Sequence, residues 1–119
     1  MKRDKITINE NTVIVTGGNI WMTEAELIGM FDAIAGTIRA AIKAIFKENA
    51  LHDYEVCKCI RLDSGNSAEV YNMEVIIALA FRLNTYLASV FRKWIIKRTT
   101  ASRRTTPPIV IRYKDGLPN

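Results

Sequence analysis

The chain has 119 residues, 49% of them hydrophobic and 24% charged, with 17 Lys and Arg against 12 Asp and Glu and a formal net charge of +5. That length suits one domain around one core and leaves no room for a two-domain enzyme, and the composition is that of a globular chain, neither disordered nor fibrous. No run approaches the roughly 18–20 apolar residues of a membrane span, and the basic opening Met1-Lys2-Arg3-Asp4-Lys5 leads into polar residues, unlike a secretory signal.

The charge is unevenly spread. Residues 1–74 carry eight basic and eleven acidic side chains, whereas 75–119 carry nine basic and a single acid, Asp115. A domain with so basic a second part is expected to meet an anionic partner such as nucleic acid.

In chain order, Ile6-Thr7-Ile8 and Thr12-Val13-Ile14-Val15 alternate apolar and polar residues around Asn9-Glu10-Asn11, which predicts a β-hairpin. Thr16-Gly17-Gly18-Asn19 reads as a turn; no strand–glycine–lysine pattern makes it a phosphate loop. Thr23 and Glu26 form a capping box, with Met22 and Leu27 placed as a hydrophobic staple, and open a first helix carrying Leu27, Ile28 and Phe31. A second helix is expected from about Ala35 to Lys47. Ile38, Ile42, Ile45 and Phe46 form its core face, and Arg39, Lys43 and Lys47 recur at i, i+4, i+8 on another face.

A short turn or helix at Leu51–Tyr54 precedes a second hairpin, Val56–Leu62 and Ser67–Tyr71, joined by Asp63-Ser64-Gly65-Asn66. Asn72 caps a third helix running through Val75–Phe81 that is apolar nearly all round and must be buried. The last helix starts near Asn84 or Thr85, with Leu87, Val90, Phe91, Trp94 and Ile95 on its apolar face and Arg92, Lys93, Lys97 and Arg98 on the remainder. The stretch Thr99–Pro108, which contains Arg103 and Arg104, has a linker composition, and Ile109–Tyr113 reads as a late strand.

Chemistry finds little footing. Cys57 and Cys59 share one strand face, badly placed to bond each other, and a zinc site would have only His52 to add; two half-buried strand cysteines in a reducing cytoplasm is the simpler reading. One histidine and no nucleophile motif predict a protein that is not an enzyme and needs no cofactor, metal or small-molecule substrate.

Helix, short turn, basic helix and hairpin is the order of a winged helix-turn-helix: an α+β fold with a helical core and β-hairpins, in which the second helix enters the major groove and the hairpin holds phosphate. On this reading residues 1–98 form the domain and 99–119 a basic linker with a possible short strand. On the second helix Arg39, Lys43 and Lys47 contact groove and phosphate. Arg61 holds backbone, and Arg92, Lys93, Lys97, Arg98, Arg103 and Arg104 form a supporting surface for duplex DNA.

The motif Trp21-Met22-Thr23 opening a helix that ends at Phe31 resembles the start of RhuM-family proteins. Thr37-Ile38 followed by Ile42-Lys43-Ala44-Ile45-Phe46-Lys47-Glu48 resembles that family's recognition-helix segment, which implies a reading role for Thr37. Val70-Tyr71-Asn72-Met73-Glu74, Phe81-Arg82-Leu83-Asn84 and Phe91-Arg92-Lys93-Trp94 are similar to further motifs of the family, in order across residues 20–98; the later ones also resemble Bro-N antirepressor modules. The resemblance implies a DNA-binding module of bacterial mobile elements or genomic islands, with a role in transcriptional regulation. Two places depart from the pattern: Asp32 stands where the family usually has glycine, and Ile34 and Ala35 where it has polar or basic residues.

The alternative is a protein–protein module whose DNA-reading surface has decayed, with Ile109–Ile111 as an edge strand that builds a homodimer. No membrane partner is expected, since Phe91 and Trp94 at the basic last helix are also what a folded core needs.

Overall fold

A computed structural model describes residues 2–48 and 53–104. His52, the prolines 107 and 108 and the expected late strand at 109–113 lie outside the described residues. The fold is mixed α+β, with two small antiparallel sheets and a helical core.

Strands β1 (Ile6–Asn9) and β2 (Thr12–Val15) make the expected first hairpin, with Ile6 opposite Val15 and Ile8 opposite Val13. Those four side chains face inward because a strand alternates its faces every residue, and Ile6 is fully buried. The following glycine turn is closed by an acid. Asp4 Oδ2 accepts the Asn19 N–H at 2.9 Å, and a Cβ on Gly17 would stand 2.5 Å from the same carboxylate. The carboxylate is held against Gly17 and Asn19, so a side chain at 17 would have to displace it, and its negative charge makes the segment a turn, not an anion cradle.

Strand β3 (Met22–Thr23) leads directly into helix α1 (Glu24–Phe31). The cap was legible in advance, the strand was not. Thr23 sits at φ −78°, ψ 165°, the extended conformation required of an N-cap and equally of a strand residue, so it pairs with Val70 while its hydroxyl accepts the Glu26 N–H at 3.1 Å. Glu26 returns the bond, accepting the Thr23 N–H at 2.8 Å. The staple is in place as well, with Met22 and Leu27 both buried.

Helix α1 ends at Asp32, whose φ of 53° and ψ of 49° are left-handed, and its N–H donates to Ile28 O. This is the conformation glycine adopts at least cost, and aspartate tolerates it better than most residues. Three residues later helix α2 (Ala35–Glu48) begins; it buries Ile38, Ile42 and Ile45 against α1 and the fourth helix.

A single turn, α3 (Asp53–Val56), precedes strands β4 (Cys57–Arg61) and β5 (Ser67–Tyr71), joined by a turn with Gly65 at φ 94°. Here β5 is central, flanked by β4 and β3. Asn72 then caps α4 (Met73–Ala80), accepting the Val75 N–H at 3.3 Å. Val75, Ile76, Leu79 and Ala80 are buried, while Ile77 and Ala78 are only half-buried, so α4 is less completely enclosed than its composition predicts.

Thr85 accepts the Ala88 N–H at 3.1 Å and starts the longest helix, α5 (Tyr86–Arg104). It packs on α1, α4 and the first hairpin, and Phe91 meets Phe31 edge to face at 6.0 Å. The helix runs six residues past the expected end at Arg98. Residues 99–104 contain neither proline nor glycine, and Thr99 satisfies its hydroxyl on Ile95 O at 3.1 Å without leaving the helix. Composition alone made this a linker; the first true breaker is Pro107.

Burial alone would raise the Glu26 carboxyl, but the hydrogen bonds from Arg3, the Thr23 amide and Lys5 outweigh it and hold the carboxyl down at about 2. Its value in the unfolded chain is about 4.3. A depressed carboxyl stabilises the fold above the unfolded value and loses that contribution as pH falls through the folded one. Acid titration followed by circular dichroism should therefore show stability falling between about pH 4.5 and about pH 2, with a shallower fall in Glu26→Gln; equal slopes in the two proteins would remove the role given to this carboxylate.

Candidate nucleic-acid interface

Because α2 turns Ile38, Ile42 and Ile45 into the core, the positions between them face outward. Thr37, Arg39, Ala40, Lys43 and Lys47 are all exposed. The cations therefore share one face one turn apart, as their spacing predicted. They are not equivalent. Arg39 Nε is 3.1 Å from Glu24 Oε1, an ion pair with the arginine 67% exposed, worth about 0–1 kcal/mol and easily exchanged for phosphate. Among the described residues no carboxylate lies within ion-pair distance of Lys43 or Lys47.

Ile34, at the entry to α2, is 74% exposed, so the position usually polar or basic in the resembling family here presents a bare aliphatic side chain at the start of this face. Below it a groove of about 580 Å³ runs between α2 and the sheet. Arg39 and Lys43 stand on its helical wall, Glu24 and Glu69 on the opposite one, and Phe46 and Tyr71 meet in it at 6.4 Å between ring centroids. The Tyr71 hydroxyl donates to Glu69 Oε1 at 3.1 Å, and burial together with that neighbouring carboxylate pushes the phenol well above its ordinary value. It stays a neutral donor at any working pH.

Arg61 is exposed at the end of β4, but the depression it lines is shared with Arg3 and Lys5, not with α2. Both of those partners reach Glu26: Arg3 through two bonds of 2.7 and 3.0 Å, Lys5 at 3.1 Å. Lys58 earlier in β4 stands over the Trp21 ring at 4.2 Å.

The cations of α5 divide by role. Arg92 is half-buried and donates from Nη1 to Ala80 O at 2.6 Å and Leu83 O at 2.9 Å, clamping the carbonyls at the end of α4. It is a structural clasp, where the sequence placed it on a supporting phosphate surface. Lys93 and Lys97 are exposed and border a depression with Trp94, Tyr86 and Asn11 from the first hairpin. Tyr86 donates its hydroxyl to Asn11 Oδ1. Trp94 stacks on Phe91 at 5.5 Å, and the Arg98 guanidinium lies over its outer face at 4.9 Å. The side chains of Arg103 and Arg104 lie outside the described part of the structure.

The structure thus puts Arg39, Lys43 and Lys47 on one face, as their spacing predicted, with Thr37 exposed on the far side of the helix from Arg39, and leaves Arg61 and the α5 lysines on other surfaces. It missed Glu24 and Glu69 as neighbours of that face. Glu24 is explained just as well by first-turn electrostatics, and a strand residue such as Glu69 gives no signal of which helix it will oppose. No helix among the described residues is long and apolar enough to cross a membrane. Comparison with family models, with curated proteins and with solved structures found no match.

Replacing Arg92 with Met leaves two carbonyls at the α4 end unpaired and should lower unfolding free energy by about 1–3 kcal/mol. Lys93→Met, one residue on and exposed, should change it little; denaturant unfolding of the pair measures the contrast, and equal effects would deny Arg92 its clasp.

Proposed function

We propose that this protein binds duplex DNA, with α2 entering the major groove and the β4–β5 hairpin lying alongside as a wing. The observation that carries the reading is one of order: strand, helix, three-residue link, exposed basic helix, hairpin, with the first short strand paired to the second strand of that hairpin. A winged helix-turn-helix uses this succession because the sheet braces the two helices and leaves one face of the second unobstructed. The resemblance to RhuM-family proteins supports the same reading and adds a regulatory role on bacterial mobile elements.

Within it, Lys43 and Lys47 meet phosphate, Arg39 exchanges Glu24 for the groove, and Thr37 and Ala40 allow close approach. The α5 lysines supply general attraction over the range of a Debye length, about 10 Å at moderate salt. Glu24, Asp32 and Ile34 around the start of α2 weigh against extensive base reading, so affinity should exceed selectivity.

Fluorescence anisotropy with a random duplex tests this. Binding should weaken linearly on a log–log salt plot, the slope falling by about 0.9 for each phosphate contact removed. Lys43→Glu with Lys47→Glu should reduce affinity far more than Lys2→Glu. Absence of duplex binding at low salt, or binding indifferent to salt, would overturn the proposal.

A further inference from the structure

The groove beside α2 has features that DNA contact does not explain. Its volume of about 580 Å³ lies within the range of small-molecule sites, and Phe46 and Tyr71 give it an aromatic body. Its charges are sorted by wall: Arg39 and Lys43 on the helix, Glu24 and Glu69 on the side of α1 and β5. Arg39 and Glu24 already satisfy each other, and Glu69 accepts the Tyr71 hydroxyl with one oxygen. Lys43 on one wall and the second carboxylate oxygen of Glu69 on the other have no partner in any ion pair or side-chain hydrogen bond formed among the described residues.

A simple anion entering here gains Lys43 but faces Glu69; a simple cation meets the reverse. A molecule carrying both charges satisfies both walls, and a flat apolar body can lie against the surface the two rings form together. We propose that this groove binds a small aromatic zwitterion, of which a free aromatic α-amino acid is the simplest example, with its carboxylate on Lys43, its ammonium on Glu69 and its ring against Phe46 and Tyr71.

The site stands independently of the DNA reading. One consequence rests on it: Arg39 and Lys43 belong to both surfaces, so an occupied groove lowers duplex affinity.

Isothermal titration of the full chain with L-tryptophan, tryptamine and indole-3-propionate separates the contributions, and contains no DNA, so its failure is distinct from failure of duplex binding. Tryptophan should bind saturably in the millimolar range or better, and each single-charge analogue about fivefold more weakly, the worth of one exposed ion pair. Lys43→Gln should weaken tryptophan and indole-3-propionate while sparing tryptamine, and Glu69→Gln should do the opposite; both residues are exposed, so neither change threatens the core. No saturable heat with tryptophan, analogues that match or exceed it, or variants that weaken all three alike would overturn the proposal.

Discussion

The Glu26 carboxylate accepts the amide of Thr23, two nitrogens of Arg3 and the ammonium of Lys5, and that junction ties the N-terminal segment, β3 and α1 to one corner from which the chain is built. Thr23 is simultaneously the last residue of β3 and the cap of α1. The pairing of β3 with β5 therefore sets where the helix starts, and the capping box sets the angle at which it leaves the sheet. Arg3, only 12% exposed, also donates to Trp21 O at 2.8 Å, tying the N-terminal segment to the same corner. Capping interactions are worth about 1 kcal/mol each, and here they also hold the register between two layers.

From that corner the rest is constrained by short connections. Asp32 turns the chain in three residues, so α2 must lie across α1 with its isoleucines inward and its cations out. The sheet, held by β3, then stands opposite α2 and makes the far wall of the groove. One arrangement thus yields both an exposed basic face and, beside it, an aromatic cleft of split charge. The strong positive charge of residues 75–119 is not concentrated on that face: Arg92 binds carbonyls at the end of α4, and Arg98 lies over Trp94 on α5. Of the α5 cations with described side chains, Arg92 alone is turned to the protein's own backbone, while Lys93, Lys97 and Arg98 stay exposed.

Much of the fold was legible because its signals are local. Both hairpins, the capping box, Asn72, Thr85 and the faces of α2 depend on residues within one or two turns of each other. What escaped was non-local or carried two functions at once. A two-residue strand at Met22–Thr23 leaves no periodicity to detect, and Thr23 was fully explained by its cap. The extension of α5 to Arg104 runs against Thr- and Ser-rich composition, a weak preference that a continuing helix overrides. Asp32 stands where the resembling family usually has glycine, and its backbone gives the reason the two alternate: the position demands a left-handed residue. At the candidate site the α2 cations were readable from spacing, whereas Glu24 stands 15 positions from Arg39 and Glu69 26 positions from Lys43, beyond any local pattern.

That α2, and not the more basic α5, forms the nucleic-acid surface is the claim on which the functional account turns. Titrating isotope-labelled protein with a short duplex at low salt and following backbone amide resonances addresses it residue by residue. The account predicts the largest shifts at Thr37, Arg39, Ala40, Lys43 and Lys47, with smaller ones around Arg61. Shifts confined to Lys93, Lys97 and Arg98, or none anywhere, would contradict it.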